Sequence, residues 1–391
     1  MTVSADCIAP SPESVGVDPA KLAALFDRAG REVRDGILPS AQLAVARNGR
    51  IAGMRSLGAA KFQGREALVT DDTLYVIFSC TKAITSAAAW ILLDEGKLAL
   101  DERVADVLPG FGANGKDAVT VEQLLTHTAG FPRAPLAPGV VDWSRLSASF
   151  AKWRLNWEPG SRFEYHPTSS MWVIAAIVQE RSGTAYRDFV RTRIAEPLGL
   201  PDLRVGAPPE QQHRIADVTH VGRAWTNEEL VAKGFPPMPE TEVTEENLQR
   251  FNDAAVREVG VPGGGGITSA AELALFYQAL LAGGNGIWRR ETIEDARRIR
   301  NAAFLDPVYR KPANRGLGIV VAGGPDKFFL GFGKTGSDAM FGHMGAGGQI
   351  AWADPATGLS FAYLTNGHDR DLLREGRRTT ALSSLAAVCA P

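Results

Sequence analysis

Hydrophobic residues near the start of the chain follow first a helical spacing and then an extended one. Four apolar residues recur at the spacing of one helix face, which predicts an amphipathic helix over residues 19–33. Residues 42–54 surround the pair Asn48-Gly49, which favours a tight hairpin turn. The N-terminal part therefore predicts one helix followed by antiparallel strands.

The middle of the chain is mostly helical in pattern, and strands return towards the C-terminus. Between residues 81 and 304, helices are predicted over 121–126, 143–153, 169–181 and 269–281. The last of these begins with Ser269 and Glu272, a pair typical of a capped helix N-terminus. Strands are then predicted over 317–321, 348–352 and 359–364, and a final helix over 372–387.

Sheet segments at both ends with helices between them predict an α/β fold of the α+β kind. The simplest assembly joins the two ends in one antiparallel sheet flanked by helices, because each element must bury its apolar face. We expect a sheet domain formed by residues 1–75 and 286–391, and a large all-helical inserted domain over residues 76–285. The active site is expected at the interface of the two domains. Residues 207–250 show little periodicity and predict a long loop near the substrate.

Ser79 and Lys82 stand where a strand pattern changes into a helix pattern. Residues 74–77 favour an extended chain, whereas residues 83–93 contain neither Gly nor Pro and favour a helix. A serine at a helix N-terminus has unpaired N–H groups beside its hydroxyl, and a residue three positions later shares its helix face. A lysine in apolar surroundings loses the solvation of its charge and can then accept the serine proton. The spacing predicts a nucleophilic serine activated by lysine.

A second copy of this spacing shows how little it means without its context. Ser149 and Lys152 also match, but they lie among tryptophans and arginines in a segment typical of an amphipathic surface helix. We expect Lys152 in solvent and assign no chemistry to this copy.

The overall composition excludes several classes of function. The chain has 391 residues, 42 of them basic and 44 acidic, and the formal net charge of -2 gives no reason to expect nucleic acid or a membrane surface as partner. Three cysteines at unrelated spacings indicate neither a disulfide framework nor a zinc cluster. No signal peptide or membrane span is predicted. We expect a cytoplasmic protein without a metal or cofactor.

Tyr165 and His343 are two further polar candidates. Tyr165 comes just before the helix predicted over 169–181, in a turn from which its side chain can enter a cleft. His343 lies in a glycine-dense run that allows close backbone approach to a ligand. The residues alone leave structural roles open for both, namely a tyrosine packed by its ring and a histidine held in a strand.

Two other patterns match known binding motifs only in part. Residues 333–335, Gly-Lys-Thr, look like half of a phosphate-binding loop, but position 328 is Phe where that loop needs glycine. His127 has no second ligand at metal spacing, so we expect a hydrogen-bonded turn residue there.

Four segments in order resemble the serine β-lactamase and penicillin-binding-protein superfamily, most closely its class C-like esterase branch, the family VIII carboxylesterases. The segments are 78–82, 124–130, 159–165 and 342–345, the last followed by 347–355. The resemblance implies a β-lactamase-like fold, with an antiparallel sheet and an all-helical domain. It also implies that Ser79 is the acylated nucleophile and Lys82 its base partner. Tyr165 would relay the proton to the leaving group and then activate water.

The resemblance further implies an oxyanion hole made by the backbone N–H groups of Ser79 and Ala346. His343 and Gly345 match the His-x-Gly motif that commonly replaces Lys-Thr-Gly in the esterase branch, and we expect both to bind substrate. The chain also contains Lys-Thr-Gly at 334–336. We favour His343, because glycines and a strand follow it directly, whereas a turn pattern follows residue 336.

The chain departs from the β-lactamase pattern directly after Tyr165. Lactamases usually have x-Asn there, whereas this chain has His166-Pro167, so a side chain that helps to hold a lactam amide is absent. We count His166 among the expected substrate-binding residues in its place.

These features predict a serine hydrolase that cleaves small carboxylic esters through a Ser79 acyl-enzyme, with weak β-lactam hydrolysis as a further activity. Two alternatives use the same acyl-enzyme: an amidase or peptidase of small linear amides, and an acyltransferase. A catalytically silent binding or assembly protein is the alternative from another class. The expected partner is a small-molecule ester, and the sequence leaves the acyl group, the alcohol and the oligomeric state open.

Overall fold

The secondary structure is known for residues 3–135, 143–237 and 243–391, which a computed structural model of the chain describes. The strands in these ranges are β1 (Ser40–Arg47), β2 (Arg50–Phe62), β3 (Arg65–Leu68), β4 (Tyr75–Val76), β5 (Arg204–Val205), β6 (Thr219–Val221), β7 (Gly266–Thr268), β8 (Val320–Val321), β9 (Phe341–Gly345), β10 (Gln349–Asp354), β11 (Leu359–Thr365) and β12 (Gly367–Asp369). The helices are α1 (Pro19–Arg34), α2 (Thr81–Asp94), α3 (Val104–Val107), α4 (Val121–Leu125), α5 (Leu146–Lys152), α6 (Ser169–Ser182), α7 (Tyr186–Val190), α8 (Glu196–Leu198), α9 (Asn227–Ala232), α10 (Glu245–Gln249), α11 (Ala254–Val259), α12 (Ala270–Ala282), α13 (Arg290–Ala296) and α14 (Leu372–Ala387).

The main sheet joins the two ends of the sequence. Its strand order is β3-β2-β1-β11-β10-β9-β8, and all of its neighbouring strands are antiparallel. The N-terminal strand β1 pairs with the C-terminal strand β11, where Ala44 lies opposite Ala362. In the predicted hairpin, Asn48 and Gly49 have φ angles of 54° and 74°, which suit the twist of the two strands. The predicted fold class is confirmed.

Both faces of this sheet are covered. Leu43 and Val45 of β1 belong to the core under α1 and α14, whereas Ala44 and Ala46 belong to the core on the other face, where α12 packs. Successive side chains of a strand point to opposite faces. The side chains on both faces of β1 are therefore buried, and most of them are apolar.

Helix α2 is the central helix of the part between the sheet segments. Its residues from Thr81 to Leu92 are all buried, as expected for a helix that is apolar on every side. It contacts α6 and, near its N-terminus, strand β9 of the main sheet. The start of α2 therefore lies where the sheet meets the helices. The domain boundaries expected after residues 75 and 285 stay a prediction.

Two segments differ from the pattern that the sequence predicted. The strand expected over 317–321 is reduced to β8, because Gly316 and Gly318 turn the chain, and a Cβ on Gly316 would lie 2.1 Å from the Ala296 carbonyl oxygen. The loop expected over 207–250 contains β6, α9 and α10. The hydroxyls of Thr226 and Thr244 cap α9 and α10 respectively, which explains why these short helices form without a regular spacing of apolar residues.

No helix within the described ranges combines the length and the apolar character that a membrane crossing requires.

Candidate active site

A short 3₁₀ turn between β4 and α2 carries Ser79 to the surface of a cavity. Phe78, just before it, has a φ of 44°, a left-handed conformation that costs a non-glycine residue about 1–3 kcal/mol. The Phe78 ring is buried and makes edge contacts with the rings of Phe251 and His368, at centroid distances of 5.2 and 4.7 Å. Its carbonyl oxygen accepts a hydrogen bond of 2.5 Å from the Thr81 hydroxyl. These contacts offset the strain and fix the direction of Ser79.

Two polar groups converge on the Ser79 hydroxyl. Lys82 Nζ lies 3.2 Å and Tyr165 OH lies 2.9 Å from Ser79 Oγ. Lys82 lies in the first turn of α2, directly after the 3₁₀ turn of Ser79, whereas Tyr165 comes from the turn before α6, 86 residues after Ser79. The structure thus brings together the three residues that the sequence singled out for catalysis.

The ammonium group of Lys82 is fully buried and held by backbone oxygens. Besides Ser79, its Nζ donates to the carbonyl oxygens of Pro167, at 2.6 Å, and Gly263, at 2.8 Å. Glycine at position 263 leaves room for this arrangement, since a Cβ there would lie 3.0 Å from the Pro167 oxygen and 3.4 Å from Nζ, both tight contacts. All three donors of the ammonium group are therefore used.

His127 and His166 hold the turn that carries Tyr165. His166 N–H donates to His127 Nδ1 at 3.2 Å, so His127 is a hydrogen-bonded turn residue as predicted. The ring of His166 is fully buried: Phe131 N–H donates to its Nε2 at 3.1 Å, and its Nδ1 lies 2.7 Å from the Glu164 oxygen. Burial lowers the pKa of His166 to about 3, so this ring is neutral. The expectation that His166 binds substrate is corrected, because its side chain points inward and both ring nitrogens have backbone partners.

His343 presents one unpartnered nitrogen near Tyr165. Its Nδ1 lies 2.6 Å from the Met344 carbonyl oxygen and must carry the hydrogen, because a carbonyl only accepts. Burial, Lys82 and Arg315 together lower the pKa of His343 well below its usual value. The neutral Nε2 is buried and has no partner among the described residues, and the ring lies 6.1 Å from the Tyr165 ring. The lone pair of this nitrogen is therefore not used by any described residue.

Gly345 lets β9 approach the turn that carries Ser79. A Cβ at this position would lie 2.4 Å from the Ile77 carbonyl oxygen and 2.9 Å from Gln349 Cβ. The same approach places the Cys80 thiol 3.1 Å from the His343 carbonyl oxygen, to which it donates. Gly345 therefore acts here through its lack of a side chain.

Ala346 lies beside Ser79 in a small cavity of about 50 Å³. Apolar side chains dominate the cavity wall, and part of it comes from residues 243–251. The other lining residues are Phe78, Pro167, Thr168, Val243, Asn247, Leu248, Phe251, Val261, Gly263 and Gly264. A larger, open cavity of about 570 Å³ lies against β3 and Arg214, and none of its lining residues belongs to the site around Ser79.

The competing motifs lie away from this site. The backbone N–H of Lys334 donates to the Ser384 hydroxyl on α14, and its ammonium group lies 5.2 Å from the Phe328 ring. Ser149 donates to the Arg145 carbonyl oxygen on α5, and Lys152 is exposed. The structure therefore places His343, and not Lys334, near Ser79.

Sequence reasoning missed Arg315. Its guanidinium carbon lies 5.4 Å from the centroid of the Phe163 ring and 5.5 Å from that of Tyr165. Arg315 is one basic residue in the run Asn-Arg-Gly-Leu-Gly-Ile-Val-Val, a weak sequence cue. Its position follows from a loop whose backbone is held by Asn301, which accepts the Arg315 N–H at 2.7 Å.

One protein-family model matches nearly all of the chain: the β-lactamase family model matches residues 23–385. The chain belongs to the β-lactamase family. This confirms the resemblance and the β-lactamase-like fold that were inferred from the sequence.

Three relatives of this β-lactamase-family chain are informative. The esterase EstB of Burkholderia gladioli is 31% identical over 371 residues, covering 89% of this chain and 90% of EstB. The crystal structure of a penicillin-binding protein homologue from Caulobacter crescentus is 31% identical with a TM-score of 0.78, covering 96% of this chain and 99% of that one. The crystal structure of a family VIII carboxylesterase is 26% identical with a TM-score of 0.74, covering 95% and 99% respectively.

Proposed function

We propose that this chain is a serine hydrolase that cleaves small carboxylic esters through an acyl-enzyme on Ser79. The observation that carries the proposal is the convergence of Lys82 Nζ and Tyr165 OH on one serine oxygen, at 3.2 and 2.9 Å. The similarity to EstB and to a family VIII carboxylesterase supports esters as the substrate class.

Lys82 is suited to take the serine proton in its neutral form. A neutral amine keeps two N–H donors, which match the two carbonyl oxygens of Pro167 and Gly263, and its lone pair then faces Ser79 Oγ. The serine oxygen attacks the ester carbonyl carbon while its proton moves to Lys82. The backbone therefore holds the base without competing for its lone pair.

Tyr165 passes the proton onward. From Lys82 the proton reaches the leaving alcohol through the phenol oxygen, and the acyl-enzyme forms as the ester C–O bond breaks. In the second step Tyr165 gives its proton to neutral Lys82 and takes one from the water that attacks the acyl carbonyl. The proton on Lys82 then returns to Ser79 Oγ as the bond between Ser79 and the acyl group breaks and the acid leaves. The backbone N–H groups of Ser79 and Ala346 are proposed to stabilise the oxyanion in both steps.

His343 and Gly345 complete the proposed substrate site. The lone pair on His343 Nε2 accepts a hydrogen bond from a donor of the substrate or its leaving group. Gly345 keeps the end of β9 within reach of the nucleophile turn.

The cavity beside Ser79 favours a short acyl group. Its volume of about 50 Å³ and its apolar lining by Leu248, Phe251 and Val261 suit an acetyl or propionyl group. A β-lactam would need more room and a partner for its amide, and His166 is not available for that contact because it is buried. We therefore propose β-lactam hydrolysis only as a weak side activity. A cytoplasmic location stays a prediction from the sequence.

A chromogenic ester series tests the proposal. Wild type and Ser79→Ala are compared on 4-nitrophenyl acetate, butyrate and octanoate, and Ser79 is labelled with a serine-reactive phosphonate followed by mass spectrometry. We expect turnover and labelling in wild type only, with the acetate preferred. Equal turnover by the two proteins refutes the acyl-enzyme, and turnover of nitrocefin without turnover of esters supports a lactamase instead.

A further inference from the structure

Arg315 is a buried cation without a counter-ion in its immediate surroundings. Its side chain is 8% exposed, its Nε is buried without a hydrogen-bond partner, and in the described ranges no carboxylate lies within salt-bridge distance. A buried charge of this kind is strongly unfavourable unless another group compensates for it. Some feature of the site must therefore account for its presence.

The charged and titratable groups around Arg315 are few. Asp306 raises the pKa of Arg315 from a distance, but its carboxylate already accepts the backbone N–H groups of Val308 and Tyr309. Burial lowers the pKa of Arg315, yet a guanidinium keeps its proton in proteins. Tyr309 and Tyr165 are the phenols that face it. Of these two, Tyr165 contacts the nucleophile.

Tyr165 has two cations near its ring. Lys82 Nζ lies 5.0 Å and the Arg315 guanidinium carbon 5.5 Å from the ring centroid. The two histidine rings beside Tyr165, His127 and His343, have their pKa values held well below the usual range and add no charge. When Lys82 is neutral, Arg315 is therefore the positive charge that remains among these residues around Tyr165.

We propose that Arg315 is a positioning residue that orients the Tyr165 phenol and stabilises the negative charge that develops on its oxygen during proton relay. The proposal rests on the proposed function, because it assigns Arg315 a part in the same acyl transfer. The Phe163 ring also contacts the guanidinium, whose carbon lies 5.4 Å from the centroid of that ring. Arg315 acts through Tyr165 and does not contact the reacting ester.

The proposal predicts a loss in kcat with little change in KM for a neutral ester. A unit charge at this distance in a partly buried site changes the rate of proton relay by about 10- to 100-fold. We expect Arg315→Met, which removes the charge and keeps the length, to lower kcat on 4-nitrophenyl acetate by about that factor. Arg315→Lys keeps the charge and should retain an intermediate kcat.

Arg297 offers a matched control. Its guanidinium carbon lies 5.3 Å from the Phe341 ring and its Nε is also buried without a partner in the described part of the chain. Arg297→Met removes a comparable stacked cation that has no contact with Tyr165. We expect this variant to keep the kcat of wild type. Thermal unfolding of every variant shows whether a loss of kcat comes from a loss of stability.

A double-mutant cycle decides whether Arg315 acts through Tyr165. In the Tyr165→Phe background, Arg315→Met should lower kcat no further, because no phenolate forms there. Unchanged kcat in Arg315→Met, equal losses in the Lys and Met variants, or an additive loss in the Phe background each overturns the proposal while the esterase stands. A rise in KM confined to esters that carry a carboxylate also overturns it, in favour of direct substrate binding. Equal turnover by wild type and Ser79→Ala instead refutes the proposed function itself, and this inference with it.

Discussion

A Cβ on Gly345 would lie 2.4 Å from the carbonyl oxygen of Ile77, so strand β9 meets the turn before Ser79 at a distance that only glycine allows. Ile77 is the second residue before Ser79, and Ala346, which follows Gly345, lines the same cavity as Ser79. The spacing between the two proposed oxyanion donors therefore depends on this contact.

Gly345→Ala should separate β9 from the turn and lower activity more than stability. Overpacking of this kind typically costs about 1–3 kcal/mol in unfolding free energy, whereas loss of one oxyanion donor lowers kcat by about 100- to 1,000-fold. Steady-state kinetics and urea unfolding measure the two effects. Gly376→Ala, in α14, where an added Cβ has no atom within 4 Å, is the control: it should keep the kcat of wild type and raise the unfolding free energy by about 0.5–1 kcal/mol. Wild-type kcat in Gly345→Ala would contradict the close-approach argument.

Lys82→Met should abolish most ester turnover while the protein stays folded. Methionine fills much of the lysine volume, but the carbonyl oxygens of Pro167 and Gly263 lose their shared donor, at about 1–3 kcal/mol for each unsatisfied group. Loss of the general base costs about 100- to 10,000-fold in rate. Stopped-flow measurement of the acylation burst separates this loss from a defect in deacylation. A full-sized burst would remove Lys82 from the first step.

The local chemistry of this site could be predicted from the sequence, but its long-range contacts could not. The relation of Ser79 to Lys82 could be predicted because the two residues are only three positions apart, across the junction of a 3₁₀ turn and α2. The direction of a side chain in a turn depends on the residues packed against that turn, and the local sequence does not show them. His166 was therefore expected in the substrate site, although its ring is buried. Arg315 was missed because its contact with Tyr165 joins segments 150 positions apart in number and leaves no periodic pattern.

Leu248→Ala should shift the acyl preference towards longer chains. Leu248 lines the small cavity beside Ser79, and truncation to alanine enlarges the space available to the acyl group. We expect the ratio of kcat/KM for butyrate to that for acetate to rise by about 10-fold or more, since each methylene accommodated in an apolar pocket is worth about 1–3 kcal/mol. Val231→Ala is the control: this α9 side chain is 57% exposed and does not line the cavity, so the ratio should stay unchanged. The same ratio in both variants would show that the acyl group lies elsewhere.

Glu272 should make the protein less stable as the pH rises, and Glu272→Gln should remove this effect. Burial, reinforced by the Asp202 charge, raises the pKa of Glu272 from 4.5 to about 8. One of its oxygens accepts the Asp202 N–H at 2.9 Å, and the other is buried without a partner in the described chain. Because the folded pKa lies above the unfolded one, the folded state favours the protonated acid, and this contribution is complete below pH 4.5 and lost between pH 4.5 and about 8. A neutral amide of the same shape does not titrate. The melting temperature of Glu272→Gln relative to wild type should therefore rise from pH 5 to pH 9, and a difference that is constant over this range would show that the carboxyl is ionised in the fold.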